Sequence, residues 1–357
     1  AGIPGVYRPY FDRFIEIFYH KKMKNRNTIL LIALYDINSF PVRTLHVVLK
    51  EAGFNVSSIF FKRLNPNNTM DFPTDDEINA LIKLIKELEP TLVGISVRST
   101  LFKLASKITE KIKEEADTLV IWGGVHPTIR PTQSLEFADI ACIGEGEEAI
   151  VELAAKLSKG EEIDSIQNLW IKKGNKIIKN DLRPLIQDLD SISFPDFSNE
   201  NKYFAENGNI LPLPELDQRT SYWIMTSRGC PFNCTYCSNN ALRRTYKGKG
   251  EYIRRRTVEN VMEELIQAKK IFKNLTFIFF FDDLFAFDIN WIRKFCAQYK
   301  AVNIPFFCFC HPRATNEEMV RLLKDAGVYH MQMGIQAGSE EIRHKYFKRY
   351  DTNDEIV

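Results

Sequence analysis

Three cysteines fall within eight positions, in the sequence Cys230-Pro-Phe-Asn-Cys234-Thr-Tyr-Cys237. Thiolates are the usual protein ligands of iron–sulfur clusters, and three of them on one short loop can bind three corners of a cubane cluster. The fourth iron then stays open to a ligand from outside the protein. The alternative is a zinc site short of one ligand, because no further His or Cys follows at the spacing of a zinc finger. His311 could complete such a site only through the fold. The spacing therefore predicts a 4Fe–4S cluster bound by Cys230, Cys234 and Cys237.

The other cysteines argue against a disulfide framework. The chain has seven cysteines, an odd number, and only Cys142 precedes the triplet. The first residues lack the basic and then apolar order of a signal peptide. Clustered cysteines in a chain without an export signal are typical of metal binding or redox chemistry. Cys308 and Cys310 share one strand face, and we interpret them as buried small residues, with a second cluster as the alternative.

The composition is that of a globular protein of two or three domains, with 45% hydrophobic and 26% charged residues in a chain of 357. Lys and Arg number 48 against 46 Asp and Glu, so the net charge is +2. This balance gives no bulk electrostatic case for binding nucleic acid. The strongest apolar run, Phe277–Phe281, is too short to span a membrane. We therefore predict a cytosolic protein with no transmembrane segment and no nucleic-acid partner.

Strands and helices alternate between residues 28 and 160, and these elements position the first set of functional residues. Continuous apolar strands between amphipathic helices are typical of a parallel sheet covered on both faces. Five such units predict a doubly wound α/β domain, flavodoxin-like or Rossmann-like, which binds its ligand beyond the carboxyl ends of the strands. The predicted strands are Ile29–Tyr35, Val56–Phe61, Leu92–Val97, Leu119–Trp122 and Ile140–Ile143.

A second region of alternation follows a break. Gly174-Asn175 between two short apolar runs predicts a hairpin, and the polar, proline-containing stretch after it predicts a linker. Four further βα units then predict part of a (β/α) barrel. The cysteine triplet follows the first of these strands, where parallel α/β folds place their chemistry. The predicted domains are an N-terminal extension (1–27), the doubly wound domain (28–160), a linker with a hairpin (161–220) and the partial barrel (221–357).

This second half resembles the radical SAM superfamily, whose signature is CxxxCxxC with an aromatic residue before the last cysteine, here Tyr236. Phe281-Asp282-Asp283 after the second barrel strand looks like the form found in the cobalamin-binding branch. Arg313 follows the third strand, where that branch often carries an arginine. Gly334-Ile-Gln-Ala-Gly-Ser339 resembles its fourth-strand motif Gly-Ile-Glu-Ser-Gly-Ser. Gln336 in place of glutamate removes a charge but keeps the capacity for hydrogen bonds.

The resemblance implies that S-adenosylmethionine (SAM) binds at the open iron. Asp282 or Asp283 would accept a hydrogen bond from the SAM amino group, and Arg313 would pair with its carboxylate. Alternatively, the two aspartates only cap the helix that follows. The cluster would receive its electron from an external one-electron reductant of the flavodoxin or ferredoxin type. The other predicted SAM contacts are Tyr236, Gln336 and Ser339.

The first half resembles the cobalamin-binding domain. That family often carries DxHxxG in its first loop, with the histidine on cobalt. This chain has Asp36-Ile-Asn38-Ser-Phe-Pro41 there, so Asn38 takes the histidine position. An amide is a poor ligand beside imidazole, so the resemblance implies a cobalamin whose own base is displaced, with no protein histidine on the metal. The residues predicted to contact cobalamin are Asn38, Ser96, Thr100, Gly123, Gly124, His126 and Glu145.

His126 is interpreted as a loop or packing residue and not as a cobalt ligand. A degenerate domain that no longer binds a corrin is the alternative. A dinucleotide is disfavoured, because no GxGxxG follows the first strand.

Together the resemblances imply an enzyme with three cofactors: a 4Fe–4S cluster, SAM and cobalamin. Cofactors of this kind carry the difficult chemistry while the protein orients them. The implied reaction is methyl transfer to an unactivated carbon or phosphorus centre of a small-molecule substrate. A radical rearrangement or cyclisation without methyl transfer is the alternative reaction. A non-catalytic cobalamin or iron–sulfur sensor is the alternative of another class.

The barrel is expected to be incomplete. The barrel of this family has six βα units, and the sequence supplies four. We therefore expect the chain to be a fragment, with its fourth barrel strand, Met331–Ile335, at an uncovered edge of the sheet. Weak SAM binding is expected for the same reason.

Overall fold

The structure is a computed structural model that describes residues 27–65, 67–213 and 219–357. The predicted N-terminal extension lies outside the described residues, apart from Asn27. Two compact units form within the chain. In the described part, unit 1 consists of residues 27–183 and Pro195–Leu213, and unit 2 consists of Pro184–Phe194 and residues 219–357. The predicted linker range, residues 161–220, is thus distributed over both units.

Unit 1 is built on a nine-stranded sheet in its described residues. Its strands are β1 Thr28–Leu34, β2 Asn55–Phe61, β3 Leu92–Ser96, β4 Leu119–Gly123, β5 Ile140–Cys142, β6 Leu169–Lys173, β7 Lys176–Lys179, β8 Lys202–Glu206 and β9 Asn209–Pro212. The strand order is β7-β6-β5-β4-β3-β1-β2-β8-β9. The central strands β2-β1-β3-β4-β5 are all parallel and have the flavodoxin order, which confirms the doubly wound domain.

Helices cover this sheet on both faces. They are α1 Phe40–Glu51, α2 Asp75–Leu88, α3 Phe102–Glu115, α4 Val125–Ile129, α5 Pro131–Ser134 and α6 Glu147–Lys159. All seven residues of β1 are buried. Ile29 and Leu31 pack in one core with α1 and α6, whereas Leu30 and Ile32 pack in another with α2 and α3. This burial on both faces explains why the central strands are apolar along their whole length.

The sheet is extended at both ends by hairpins. β6 and β7 form the hairpin around Gly174-Asn175, and β6 pairs antiparallel with β5. At the other end β8 pairs parallel with β2, and β9 turns back on β8. The β8–β9 turn, Asn207-Gly208, has φ angles of 52° and 73°, as the tight turns of hairpins require. This second hairpin was not predicted from the sequence, although Asn-Gly is a typical hairpin turn.

Buried polar groups attach Pro195–Leu213 to unit 1. Lys202 Nζ donates to Asp196 Oδ2 over 2.9 Å, and Arg43 Nη1 donates to the Asp196 carbonyl over 3.0 Å. His46 Nδ1 and Ser58 Oγ lie 2.8 Å apart, and His46 Nε2 is 3.8 Å from Asp196 Oδ2. His46 and Ser58 are 1% and 0% exposed, so this Ser-His-Asp contact is closed to a substrate and its role is packing.

Unit 2 contains a four-stranded sheet and a short ribbon. The strands are β10 Ser221–Ile224, β11 Ser227–Arg228, β12 Arg254–Arg255, β13 Phe277–Phe280, β14 Phe306–Cys310 and β15 Val328–Met333. The sheet order is β10-β13-β14-β15, all parallel, and β11 pairs with β12. This is an open, partial (β/α) sheet as predicted. Within the described residues β15 lies at the sheet edge, and it begins three residues earlier than the predicted Met331.

Helices alternate with the strands of unit 2 along the chain. They are α7 Ser238–Thr245, α8 Val258–Ile271, α9 Ile289–Tyr299, α10 Glu317–Asp325, α11 Glu340–Lys345 and α12 Asn353–Ile356. Phe280 is fully buried and its ring contacts those of Phe285, Phe295 and Phe306. Phe281 is 40% exposed, as the alternation of a strand requires. In the described part of the chain no helix has the length and apolar character needed to cross a membrane.

Candidate active site

The cysteine loop and the aspartate pair leave the sheet at the same edge. β10 and β13 run parallel with Ile224 opposite Phe280, and the Phe281 N–H donates to the Ile224 carbonyl over 2.8 Å. The chain then continues from β10 into the cysteine loop and from β13 into Asp282-Asp283. The carboxyl edge of a parallel α/β sheet is the usual place of catalytic residues.

Asp282 fastens these two segments together. Its Oδ1 accepts hydrogen bonds from Thr226 N over 2.8 Å, Thr226 Oγ over 2.9 Å and Ser227 Oγ over 2.5 Å. The side chain is 1% exposed, and burial raises the pKa of its carboxyl while the Arg255 charge opposes that rise. Asp282 is therefore an anchor for the residues just before the cysteine loop.

Asp283 lies on the other side of the strand end and is exposed. Its carboxylate accepts from the Gly229 N–H, next to the first cysteine, and from the Asn239 side chain, two residues after the last. Asn239 Nδ2 in turn lies 3.8 Å from the Cys237 sulfur. Of the two aspartates, Asp283 is thus the one that a ligand at the cysteine loop can reach.

Gly229 is required by the path of the chain into the loop. Its φ is +91°, and a Cβ at this position would lie 2.5 Å from the Tyr252 carbonyl oxygen. Tyr252 also donates from its hydroxyl to Asn239 Oδ1 over 2.6 Å, and Arg243 donates to the Cys230 carbonyl. None of Gly229, Asn239, Arg243 and Tyr252 is among the site residues predicted from the sequence. For Gly229 and Asn239, the signal was their position within two residues of the triplet.

All three thiols of the loop are free. Cys234 is buried, Cys230 and Cys237 are half-buried, and Cys237 precedes the first turn of α7. Burial raises the pKa of Cys230 to about 11, and the nearby Asp283, Cys237 and Cys234 contribute to that rise. Ionisation of Cys230 is therefore favoured by a positive charge bound at the loop. Iron supplies that charge, so the donor set fits a cluster.

No group of three or more His, Cys, Asp and Glu side chains among the described residues has the arrangement of a single-ion site. Zinc–thiolate bonds of about 2.3 Å would bring all the sulfurs around one ion. In a cubane each thiolate binds a different iron, so the sulfurs do not converge on one point.

Three of the other predicted SAM residues lie on loops after β14 and β15. Arg313 is exposed, with its Nε 3.7 Å from Glu355 Oε1. Gln336 is exposed and has a φ of +70°. Ser339 caps α11, because its Oγ accepts from the Ile342 N–H over 3.3 Å. Tyr236 is 47% exposed and belongs to the cysteine loop itself.

In unit 1 the predicted cobalamin residues lie at the carboxyl edge of the sheet. Asn38 is in the loop after β1, where its N–H donates to Asp36 Oδ1 over 3.2 Å. Ser96 ends β3 and is paired in register with Gly123 at the end of β4. Thr100 follows β3 and is exposed, and Glu145 lies in the loop after β5. These loops flank the switch point between β1 and β3.

Gly123 and Gly124 differ in their surroundings. A Cβ on Gly123 would meet no atom within 4 Å, so the strand end is open there. Gly124 has a φ of +99°, and a Cβ would lie 3.1 Å from the Val97 carbonyl oxygen. Gly123 thus leaves space for a ligand, whereas Gly124 is required by the backbone.

His126 packs inside the domain. It is 4% exposed, its ring centroid lies 4.9 Å from that of Phe102, and its Nδ1 is 3.1 Å from Ser99 Oγ. Burial lowers the pKa of this histidine. Its placement is that of a packing residue.

Two models of known protein families match this chain, one in each unit. The family model described as the Radical SAM superfamily matches residues 224–357, and the B12 binding domain model matches residues 27–154. The first match contains the cysteine loop, and the second contains the doubly wound sheet. The chain belongs to the cobalamin-binding radical SAM family.

Relatives within this family differ in their reactions. An uncharacterized methyltransferase of Pyrococcus horikoshii is 30% identical over 280 residues, covering 73% of this chain and 55% of that protein. The anaerobic magnesium-protoporphyrin IX monomethyl ester cyclase of Cereibacter sphaeroides is 26% identical over 281 residues, covering 73% and 42%. The chain therefore spans about half the length of these curated relatives.

Among solved structures, the radical SAM methyltransferase TsrM of Kitasatospora setae, with tryptophan and a SAM analogue bound, has a TM-score of 0.69 at 18% identity. The similarity covers 92% of this chain and 64% of TsrM. At 18% identity, this similarity shows a shared fold and nothing more specific.

The geometry at Gly229 yields a stability prediction for this family member. Gly229→Ala should lower the free energy of unfolding by about 2–3 kcal/mol, because strained φ and a steric clash add. Gly248→Ala is the matched control: its φ is +79°, but a Cβ there meets no atom within 4 Å. That variant should lose only about 1 kcal/mol. Urea unfolding followed by circular dichroism measures both, and equal losses would contradict the clash.

Proposed function

We propose that this chain carries the cofactor sites of a cobalamin-dependent radical SAM methyltransferase. The observation that carries the proposal is one loop with three free cysteines, anchored through Asp282 at the carboxyl edge of a parallel sheet. The family matches and the methyltransferase relatives support it. The chain spans about half the length of its curated relatives, so its methyltransferase activity is a proposal.

Cys230, Cys234 and Cys237 would hold the 4Fe–4S cluster. When bound, the cluster, SAM and cobalamin supply radical generation and methyl transfer. Asp283 is exposed beside the loop and would orient the SAM amino group by accepting a hydrogen bond. Asp282 cannot take this role, because it is buried and its Oδ1 already accepts three hydrogen bonds.

The remaining SAM contacts are assigned by position in the family motifs. Arg313 is exposed and would pair with the SAM carboxylate, in competition with Glu355. Tyr236 borders the last cysteine of the loop. The roles of Gln336 and Ser339 stay predictions, which rest on their resemblance to the family motif. The Ser339 hydroxyl already caps α11.

Unit 1 would bind cobalamin at the edge formed by Asn38, Ser96, Thr100, Gly123, Gly124 and Glu145. The histidines among its described residues are His46 and His126, which are 1% and 4% exposed. Neither side chain reaches the surface of this edge, and Asn38 stands where the family often has its cobalt ligand. We therefore expect bound cobalamin without a histidine on the metal.

Cyclisation is the second candidate reaction, favoured by the similarity to an anaerobic cyclase. A small-molecule substrate and an external one-electron reductant are part of the proposal for either reaction. The cytosolic location and the absence of a nucleic-acid partner stay predictions. Anaerobic reaction with SAM and a candidate substrate separates the two reactions, because only methyl transfer adds the mass of one methyl group to the product.

The cluster assignment predicts the effect of removing each thiol. Cys230→Ala, Cys234→Ala and Cys237→Ala should each remove most of the iron bound after anaerobic reconstitution, and SAM cleavage with it. Cys142→Ala and Cys296→Ala are matched controls, because both thiols are buried elsewhere, 5% and 3% exposed, and both variants should keep the cluster. Iron analysis and product chromatography provide the readouts. Full SAM cleavage by Cys234→Ala would refute the assignment.

The open strand end at Gly123 predicts how cobalamin binding responds to a side chain. Gly123→Val should weaken cobalamin binding by at least about tenfold, a loss of about 1.4 kcal/mol, without lowering the free energy of unfolding. Gly124→Ala should instead destabilise the fold by about 1–2 kcal/mol, because of its φ. Absorbance titration and urea unfolding measure the two effects. Unchanged affinity in Gly123→Val would place cobalamin elsewhere.

A further inference from the structure

The segment Tyr346–Asp351, which we call the strap, follows α11 and contacts the cysteine loop. The Thr235 N–H donates to the Phe347 carbonyl over 3.0 Å, and the Thr235 hydroxyl donates to the Tyr346 carbonyl over 2.6 Å. The Phe347 ring meets the Tyr236 ring edge to face at 5.2 Å. Backbone and aromatic contacts thus join the strap to the residues between the second and third cysteines.

A buried ionic group holds the strap. Asp351 is 0% exposed, and its Oδ1 accepts from Arg349 Nε over 2.8 Å. Its Oδ2 lies 3.2 Å from Arg343 Nε, and Arg343 is also 0% exposed. Two guanidinium groups therefore share one carboxylate in the interior of unit 2. Removing one member of such a group is costly, so the position of Arg349 is strongly determined.

Arg349 connects this group to the cysteine loop. Its Nη1 lies 3.4 Å from the Tyr236 hydroxyl, to which it donates. Tyr236 lies in the loop between Cys234, which is 8% exposed, and Cys237. Hydrogen bonds thus run from Asp351 through Arg349 to the Tyr236 hydroxyl, inside the cysteine loop.

The group carries an excess of positive charge. Arg343 and Arg349 face the single negative charge of Asp351, and Arg349 Nη2 is buried without a hydrogen-bond partner. His311, with Nε2 3.8 Å from Asp351 Oδ1, adds no charge at neutral pH, because burial and the Arg349 charge lower its pKa to about 4. A cluster with three thiolates is negatively charged, and more so after reduction. The excess charge is complementary to it.

We propose that Arg349 is a positioning residue that acts through the Tyr236 hydroxyl on the cysteine loop and raises the reduction potential of the cluster. The inference rests on the proposed function, because it requires a cluster on Cys230, Cys234 and Cys237. Positive charge held close to a cluster stabilises its reduced form. An exposed charge would have a smaller effect, since water screens it.

The test uses Tyr236→Phe, Arg349→Met, Arg349→Lys and the double variant Tyr236→Phe/Arg349→Met in the anaerobically reconstituted chain. Tyr236→Phe keeps the ring contact with Phe347 and removes only the hydroxyl, so it is decisive even where Arg349→Met retains no cluster. Lys348→Met is the matched control, because it removes an exposed charge from the same strap. Iron content and an electron paramagnetic resonance titration against redox potential are measured for each.

Tyr236→Phe and Arg349→Met should each lower the ratio of reduced to oxidised cluster at a fixed potential by roughly tenfold, or about 59 mV for a one-electron couple. Arg349→Lys should stay closer to the unsubstituted chain, and Lys348→Met should match it. The double variant should shift no further than the single ones, because both remove the same connection.

Two results would overturn the inference while leaving the proposed function intact. One is a full complement of iron with unchanged potential in Tyr236→Phe. The other is a shift in Lys348→Met as large as that in Arg349→Met. An unsubstituted chain that binds no iron would instead contradict the proposed function, and the inference with it.

Discussion

The site in unit 2 depends on one buried carboxylate. Asp282 accepts three hydrogen bonds from Thr226 and Ser227, and so joins the ends of two neighbouring strands, β10 and β13. The cysteine loop begins after the first of these ends, and Asp283 follows the second. Because Asp282 fixes the two strand ends, it also fixes the position of the Asp283 carboxylate relative to the cysteine loop.

This anchor requires charge compensation inside the protein. Arg255 opposes the rise in the pKa of Asp282, and burial lowers the pKa of Arg255 itself to about 10. The Arg255 guanidinium lies 3.6 Å from the centroid of the Trp291 ring, so an aromatic face replaces part of its lost hydration. The two charges thus compensate each other in part inside the protein.

The sequence was sufficient for features that depend on local spacing. The cysteine triplet, the flavodoxin order of unit 1 and the parallel sheet of unit 2 follow from short patterns and continuous apolar strands. Sequence could not assign different roles to Asp282 and Asp283, because which of two adjacent residues points inward depends on strand register. Nor could it connect Arg349 with Tyr236, since 113 positions separate them and only the fold brings them together.

The central claim is that three thiolates hold a cubane and leave one iron open for SAM. Mössbauer spectroscopy of the chain reconstituted with ⁵⁷Fe tests this most directly, because it resolves individual iron environments. The account predicts that adding SAM changes the isomer shift of one iron in four, and that Asp283→Asn weakens this response while Asp282 stays in place. A spectrum that SAM leaves unchanged at saturating concentration would contradict the account.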